Sequence, residues 1–105
     1  MLLVKQIYLM TRQFPSGEKF GLTSQMRRAA VSIPSNIAEG QARRSTGEFI
    51  QFISNAEGSV AELETQLEIA GDLGYCTAAQ KESVLGLAEE VRKMLNSLRR
   101  RLEDR

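Results

Sequence analysis

Apolar residues recur at intervals of three and four along nearly the whole chain, which is the period of an α-helix with one face in a core. Leu3, Ile7, Met10 and Phe14 form the first stripe, and the spacing predicts a helix over 2–14. Pro15-Ser16-Gly17 then stops it. A second stripe of Leu22, Met26, Ala29, Ala30, Ile33 and Ile37 predicts a helix from 22 to about 44. Pro34 lies inside that run. It removes a backbone donor and crowds the preceding turn, so a kinked continuous helix is expected. Ser32 could instead cap a restarted helix there.

The third and fourth segments open with the same signal. Ser45-Thr46-Gly47-Glu48 and Thr77-Ala78-Ala79-Gln80 both read as capping boxes. Phe49, Phe52, Ala56, Val60, Leu63, Leu67 and Ala70 carry the third stripe, and Gly74 suits a left-handed C-cap. Val84, Leu87, Val91, Leu95, Leu98 and Leu102 carry the fourth. No stretch alternates with the period of a strand. Loops of about three residues make neighbouring helices antiparallel. The expected fold is therefore all-α: one domain over 1–105, an up-down-up-down antiparallel four-helix bundle with a kinked second helix and a short first one. The first helix reaches roughly 20 Å and the last two roughly 40 Å at the α-helical rise. The far ends of its neighbours should then expose apolar surface, to be covered by another subunit or by residues upstream of Met1.

Composition narrows the chemistry. The 105 residues include no His and a single Cys, Cys76. That removes Cys–His nucleophiles, Cys/His zinc sites and the Glu-x-x-His di-iron sites of helical bundles. No Gly-rich phosphate loop is present, and carboxylate pairs such as Glu62/Glu64 and Glu89/Glu90 fit a solvated helix face. No catalytic residue, metal or cofactor is expected. One Cys allows no internal disulfide and suits a cytoplasmic setting, and no apolar run is long enough to span a membrane.

Net charge is only +1, but it is unevenly spread. Residues 1–47 hold seven Lys/Arg against two Glu, residues 48–90 one Lys against nine acids, and residues 91–105 six Lys/Arg against two acids. Three basic clusters stand out: Arg27-Arg28, Arg43-Arg44 and Arg99-Arg100-Arg101. Glu57, Glu64 and Glu68 share one side of the third helix, where Arg27 and Arg28 are expected to meet them. Three successive Arg fan across about 200° of a helix, so the C-terminal trio cannot all pair on one face. Arg43 and Arg44 also precede a helix N-terminus, which favours anions. The clusters are thus candidate phosphate contacts. Phe49 and Phe52 are assigned to the core, so no aromatic residue is interleaved with the cations.

The run from Gly21 to Gly40, reading GLTSQMRRAAVSIPSNIAEG, resembles the ribosomal RNA intervening-sequence protein family, also known as four helix bundle proteins. The resemblance continues through Arg44-Ser45, Glu48-Phe49, Phe52, Gly58-Ser59 and ELETQL at 62–67, and through the turn Asp72-Leu73-Gly74-Tyr75, and it covers about residues 3–98. It implies a four-helix bundle assembled as a ring, a homopentamer, with no catalytic residues. Related proteins serve beside reverse transcriptases in diversity-generating retroelements, where they are basic and bind nucleic acid and the transcriptase. This chain departs in its shorter first helix and in its small net charge. Within the motif, Ser32, Asn36 and Glu39 fall on one helix face around Pro34, and Gly40 follows. They read as structural or interface residues: a polar network with Arg28, Ser59 or Glu62 as partners, and Gly40 allowing close approach or ending the helix. The expected function is a non-enzymatic accessory or adaptor that binds RNA or DNA backbone through Arg43, Arg44, Arg99, Arg100 and Arg101, with Arg27 and Arg28 secondary. The alternative is a ring that serves only as a scaffold for a partner protein.

Overall fold

The computed structural model describes all residues from Met1 to Arg105. Four α-helices follow one another: α1 (Leu2–Thr11), α2 (Leu22–Gln41), α3 (Thr46–Asp72) and α4 (Ala78–Glu103). A single 3₁₀ turn, Ser16–Glu18, stands between α1 and α2. They form an antiparallel bundle measuring 46 × 24 × 18 Å. The α2–α3 and α3–α4 packings are extensive, whereas α1 lies more lightly in the groove between α2 and α4.

Each stripe delivers its core residues. Leu3, Ile7, Met26, Ile33, Val60, Leu63, Leu67, Leu95 and Leu102 are almost wholly buried. The first helix is shorter than its stripe: it ends at Thr11, not Phe14. The Thr11 hydroxyl donates back to the Ile7 carbonyl at 2.7 Å, and the backbone tightens to three-residue hydrogen bonds at Gln13 and Phe14. Pro15 disfavours the helical conformation in the residue before it. Phe14 still reaches the core, with its ring 5.3 Å from that of Tyr75. Met1, Leu2 and Met94 are about half exposed.

Helix α2 runs unbroken through Pro34 and stops at Gln41, three residues before the expected end. At the start of α3 the Ser45 hydroxyl caps the Glu48 amide at 3.1 Å. The reciprocal arm differs from a full capping box: the Glu48 carboxylate accepts from the Ser45 hydroxyl at 2.9 Å rather than from its backbone. Thr77 and Gln80 form the complete box at the start of α4. Between the two long helices Gly74 adopts φ +73°, a conformation that glycine takes without steric cost. The Tyr75 amide reaches the Ala70 carbonyl and the Gly74 amide the Gly71 carbonyl, closing α3 in a Schellman motif.

Several core assignments change. Leu22 and Ile37 of α2 and Leu87, Val91 and Leu98 of α4 are only partly buried, and Ala88 is buried beside Leu87. Ile53, not Phe52, is fully buried near the start of α3, and Phe49 and Phe52 are only half-buried. Both phenylalanines pack against Gly40: a Cβ there would sit 2.8 Å from Phe49 Cδ1 and 2.9 Å from Phe52 Cβ.

Candidate nucleic-acid interface

The acidic side of α3 is neutralised by α4 and not by α2. Glu57 accepts from Arg99 Nε at 2.8 Å, Glu64 lies 4.0 Å from Arg92, and Glu68 accepts from Lys81 at 3.2 Å. Arg99 also meets Glu103, and Glu89 draws in both Arg92 and Lys93. The bond to Glu57 holds the Arg99 guanidinium above its ordinary pKa, and the bond to Glu68 does the same for the Lys81 ammonium.

Arg99 is paired on the seam with Glu57 and Glu103. One expectation is corrected. Arg27 and Arg28 meet no carboxylate of α3. Arg27 donates to the Thr11 hydroxyl at 2.9 Å and lies over the Tyr8 ring at 4.7 Å, while Arg28 is exposed and forms no ion pair. Where α2 and α3 approach, the Ser32 hydroxyl meets that of Ser59, and Gly40 lies directly against Phe49 and Phe52.

The remaining candidates fall into two regions. Arg43 and Arg44 lie at the α2–α3 turn and Arg100 and Arg101 on the last turn of α4; the antiparallel pairing of α3 with α4 puts both at one end of the bundle. Arg43 is half engaged there, 3.5 Å from Glu39 and 4.8 Å above the Phe52 ring. Arg44, Arg100 and Arg101 are exposed and form no ion pair, so of three successive arginines only Arg99 is tied down. The second region lies towards the other end, where the α1–α2 connection meets the outer face of α2. Here a groove of about 680 Å³ is lined by Tyr8, Lys19, Phe20, Thr23, Arg27 and Arg28, with Ser24, Ser32 and Ser35 along its floor and edge. No carboxylate lines it. Lys19 and Phe20 are absent from the candidates read from the sequence. The signal available was an aromatic next to a lysine, off any helical stripe and just before Gly21.

The motif of α2 is only partly a network. The Ser32 and Ser59 hydroxyls meet at 2.6 Å across the α2–α3 contact, and Asn36 donates to the Ser32 carbonyl at 2.7 Å. Glu39 stands apart from them and turns to solvent with Arg43. Gly40 serves close approach. Gln66 donates to Glu62, and its own carbonyl oxygen is buried without a protein partner. Burial raises the pKa of the Cys76 thiol, so it remains protonated and a poor nucleophile. No three His, Cys, Asp or Glu side chains gather in a way that would hold a metal ion. No helix is long and apolar enough to cross a membrane.

The class of protein is thus a small antiparallel four-helix bundle with sharply segregated charge and no convergent set of reactive groups. The profile described as 23S rRNA-intervening sequence protein matches residues 1–97, and the chain belongs to that family. It is also similar to a crystal structure from Bacteroides thetaiotaomicron, described as a protein of unknown function from the S23 ribosomal protein family. The two share 28% identity over 91% of this chain and 89% of that one, with a TM-score of 0.82. No curated protein matches the chain.

Proposed function

We propose that this protein is a non-enzymatic, cytoplasmic accessory protein that binds the backbone of RNA or DNA. One observation carries the reading. After the α3–α4 seam has taken its share of the cations, Arg44, Arg100 and Arg101 remain exposed, without acidic partners, at one end of the bundle. Arginine without a carboxylate partner offers a planar fork of donors that matches a phosphate. Arg43 adds to the same end through a weaker tie to Glu39. Assembly as a homo-oligomer, a pentamer by the family resemblance, multiplies each cluster several-fold around a ring. The half-exposed Met1, Leu2 and Met94 favour such assembly.

Light-scattering mass of the purified protein, alone and with a short RNA at low and high salt, tests both parts. A mass near five protomers is expected, rising with RNA at low salt only, because phosphate contacts release counterions and weaken steeply as salt increases. An oligomer indifferent to RNA and DNA at about 100 mM salt would end the nucleic-acid reading and leave a protein-binding scaffold in its place. A monomer would end the ring.

A further inference from the structure

The groove between the α1–α2 connection and the outer face of α2 has a composition that the end cluster lacks. Its cations are Lys19, Arg27 and Arg28, and no carboxylate lines it. Glu18, next to Lys19 in sequence, is already engaged: it accepts from the Tyr75 hydroxyl at 2.8 Å and from the Leu22 amide at 3.2 Å. Phe20 is 89% exposed, the most exposed large apolar side chain of the protein, and the Lys19 ammonium lies 5.5 Å from its ring centre. The Tyr8 ring on the opposite wall is covered by Arg27. Val31 and the hydroxyl residues Thr23, Ser24, Ser32 and Ser35 complete the lining. Free cations would attract any anion. An open aromatic face beside them adds a preference for an anion that carries a flat ring.

We propose that this groove is a binding site for single-stranded nucleic acid, with Lys19, Arg27 and Arg28 on the phosphates and a base stacked on Phe20. The proposal rests on the nucleic-acid reading above and adds to it a second site and a strand preference. A duplex buries its base faces in its own stack, so Phe20 has nothing to stack on there. A single strand offers both groups at once. Thr11 and Tyr8 hold Arg27 in place, which sets one cation before the ligand arrives. Arg28 and Lys19 are exposed and support no other contact with a carboxylate, so they can be altered without loosening the bundle.

The test is fluorescence anisotropy on the full chain with three labelled probes: a short single-stranded oligonucleotide, its duplex, and the same strand with abasic positions. The expected result is tighter binding of the single strand than of the duplex. Phe20→Ala should weaken the intact strand about tenfold, the loss of one stacked base, and leave the abasic strand unchanged. The double variant Lys19→Ala/Arg28→Ala should weaken both strands. If Phe20→Ala has no effect while Arg100→Ala/Arg101→Ala abolishes binding, the groove is not the site, although the protein still binds nucleic acid. If the wild type binds none of the probes, both readings fall. If Phe20→Ala or the double variant instead lowers the light-scattering mass, the groove is a contact between copies of this chain and the proposal is overturned.

Discussion

The α3–α4 seam and the α1–α2 groove hold the same kinds of cation and use them in opposite ways. On the seam, Arg99, Arg92 and Lys81 each face a glutamate of α3. In the groove, Lys19, Arg27 and Arg28 face none. The number of charges in a stretch of chain therefore says little about what those charges do. The deciding factor is what separates the helices. Helices α3 and α4 leave room along their edge for long side chains to meet. Helices α2 and α3 are drawn together by Gly40 and by the Ser32–Ser59 contact, and the arginines of α2 are turned outward.

The sharpest way to break this comparison is to push α2 away from α3. In Gly40→Val the added Cβ alone would fall within 3 Å of Phe49 and Phe52, and the Phe52 contact is to its Cβ, which cannot swing aside. A loss of about 3 kcal/mol in a urea titration is expected, the upper range for overpacking. A change below about 0.5 kcal/mol, the scale of a neutral surface substitution, would show that α2 and α3 do not depend on close approach here.

A smaller effect separates the seam from the free arginines. Arg99→Ala removes the partner of Glu57, whose side chain is only 20% exposed. Its urea midpoint should fall below that of wild type, whereas Arg100→Ala and Arg101→Ala should leave the midpoint where it is. High salt should narrow the gap, since these pairs are partly open to solvent. Equal midpoints for all three variants would mean that the seam contributes nothing and that Arg99 is as free as its neighbours.

Much of this architecture is legible in the sequence. Four stripes, two capping signals and Gly74 place the long helices almost to the residue, because local periodicity and capping decide them. The ends of α1 and α2 differ, each three residues short of the expected end. Phe14 leaves the helix yet stays in the core because Tyr75, distant in sequence, receives its ring. The candidate site is less legible. Arg44, Arg100 and Arg101 were expected at the surface and are there, but the pairing of Arg99, the freedom of Arg27 and Arg28 from α3, and the groove with Phe20 depend on which helix faces which. Charge blocks along one chain do not encode that; the size of the residues at each contact does.

The smallest expected effect concerns the tie that holds the groove wall to the far side of the bundle. The Tyr75 hydroxyl donates to Glu18 at 2.8 Å, and Glu18 also anchors the first amide of α2, so the segment bearing Lys19 and Phe20 is fastened to the α3–α4 turn. The hydrogen bond to Glu18, with help from burial and the negative charge of the carboxylate, raises the Tyr75 pKa above its ordinary 10.0. Above pH 10.0 the folded protein keeps a proton that the unfolded chain has begun to lose, so folding is favoured by this contact below that point and progressively less as pH rises through the folded-state value. Tyr75→Phe lacks the hydroxyl and the dependence with it. The difference in urea midpoint between wild type and Tyr75→Phe should be constant from about pH 7 to 9 and shrink by about pH 11, on the far side of the ordinary tyrosine range. Lys81 and Arg99 also titrate high, but they are present in both proteins and cancel in the difference. A gap that stays constant through about pH 11 would mean that the Tyr75–Glu18 bond does not fasten the wall, and that Phe14 against the Tyr75 ring does so alone.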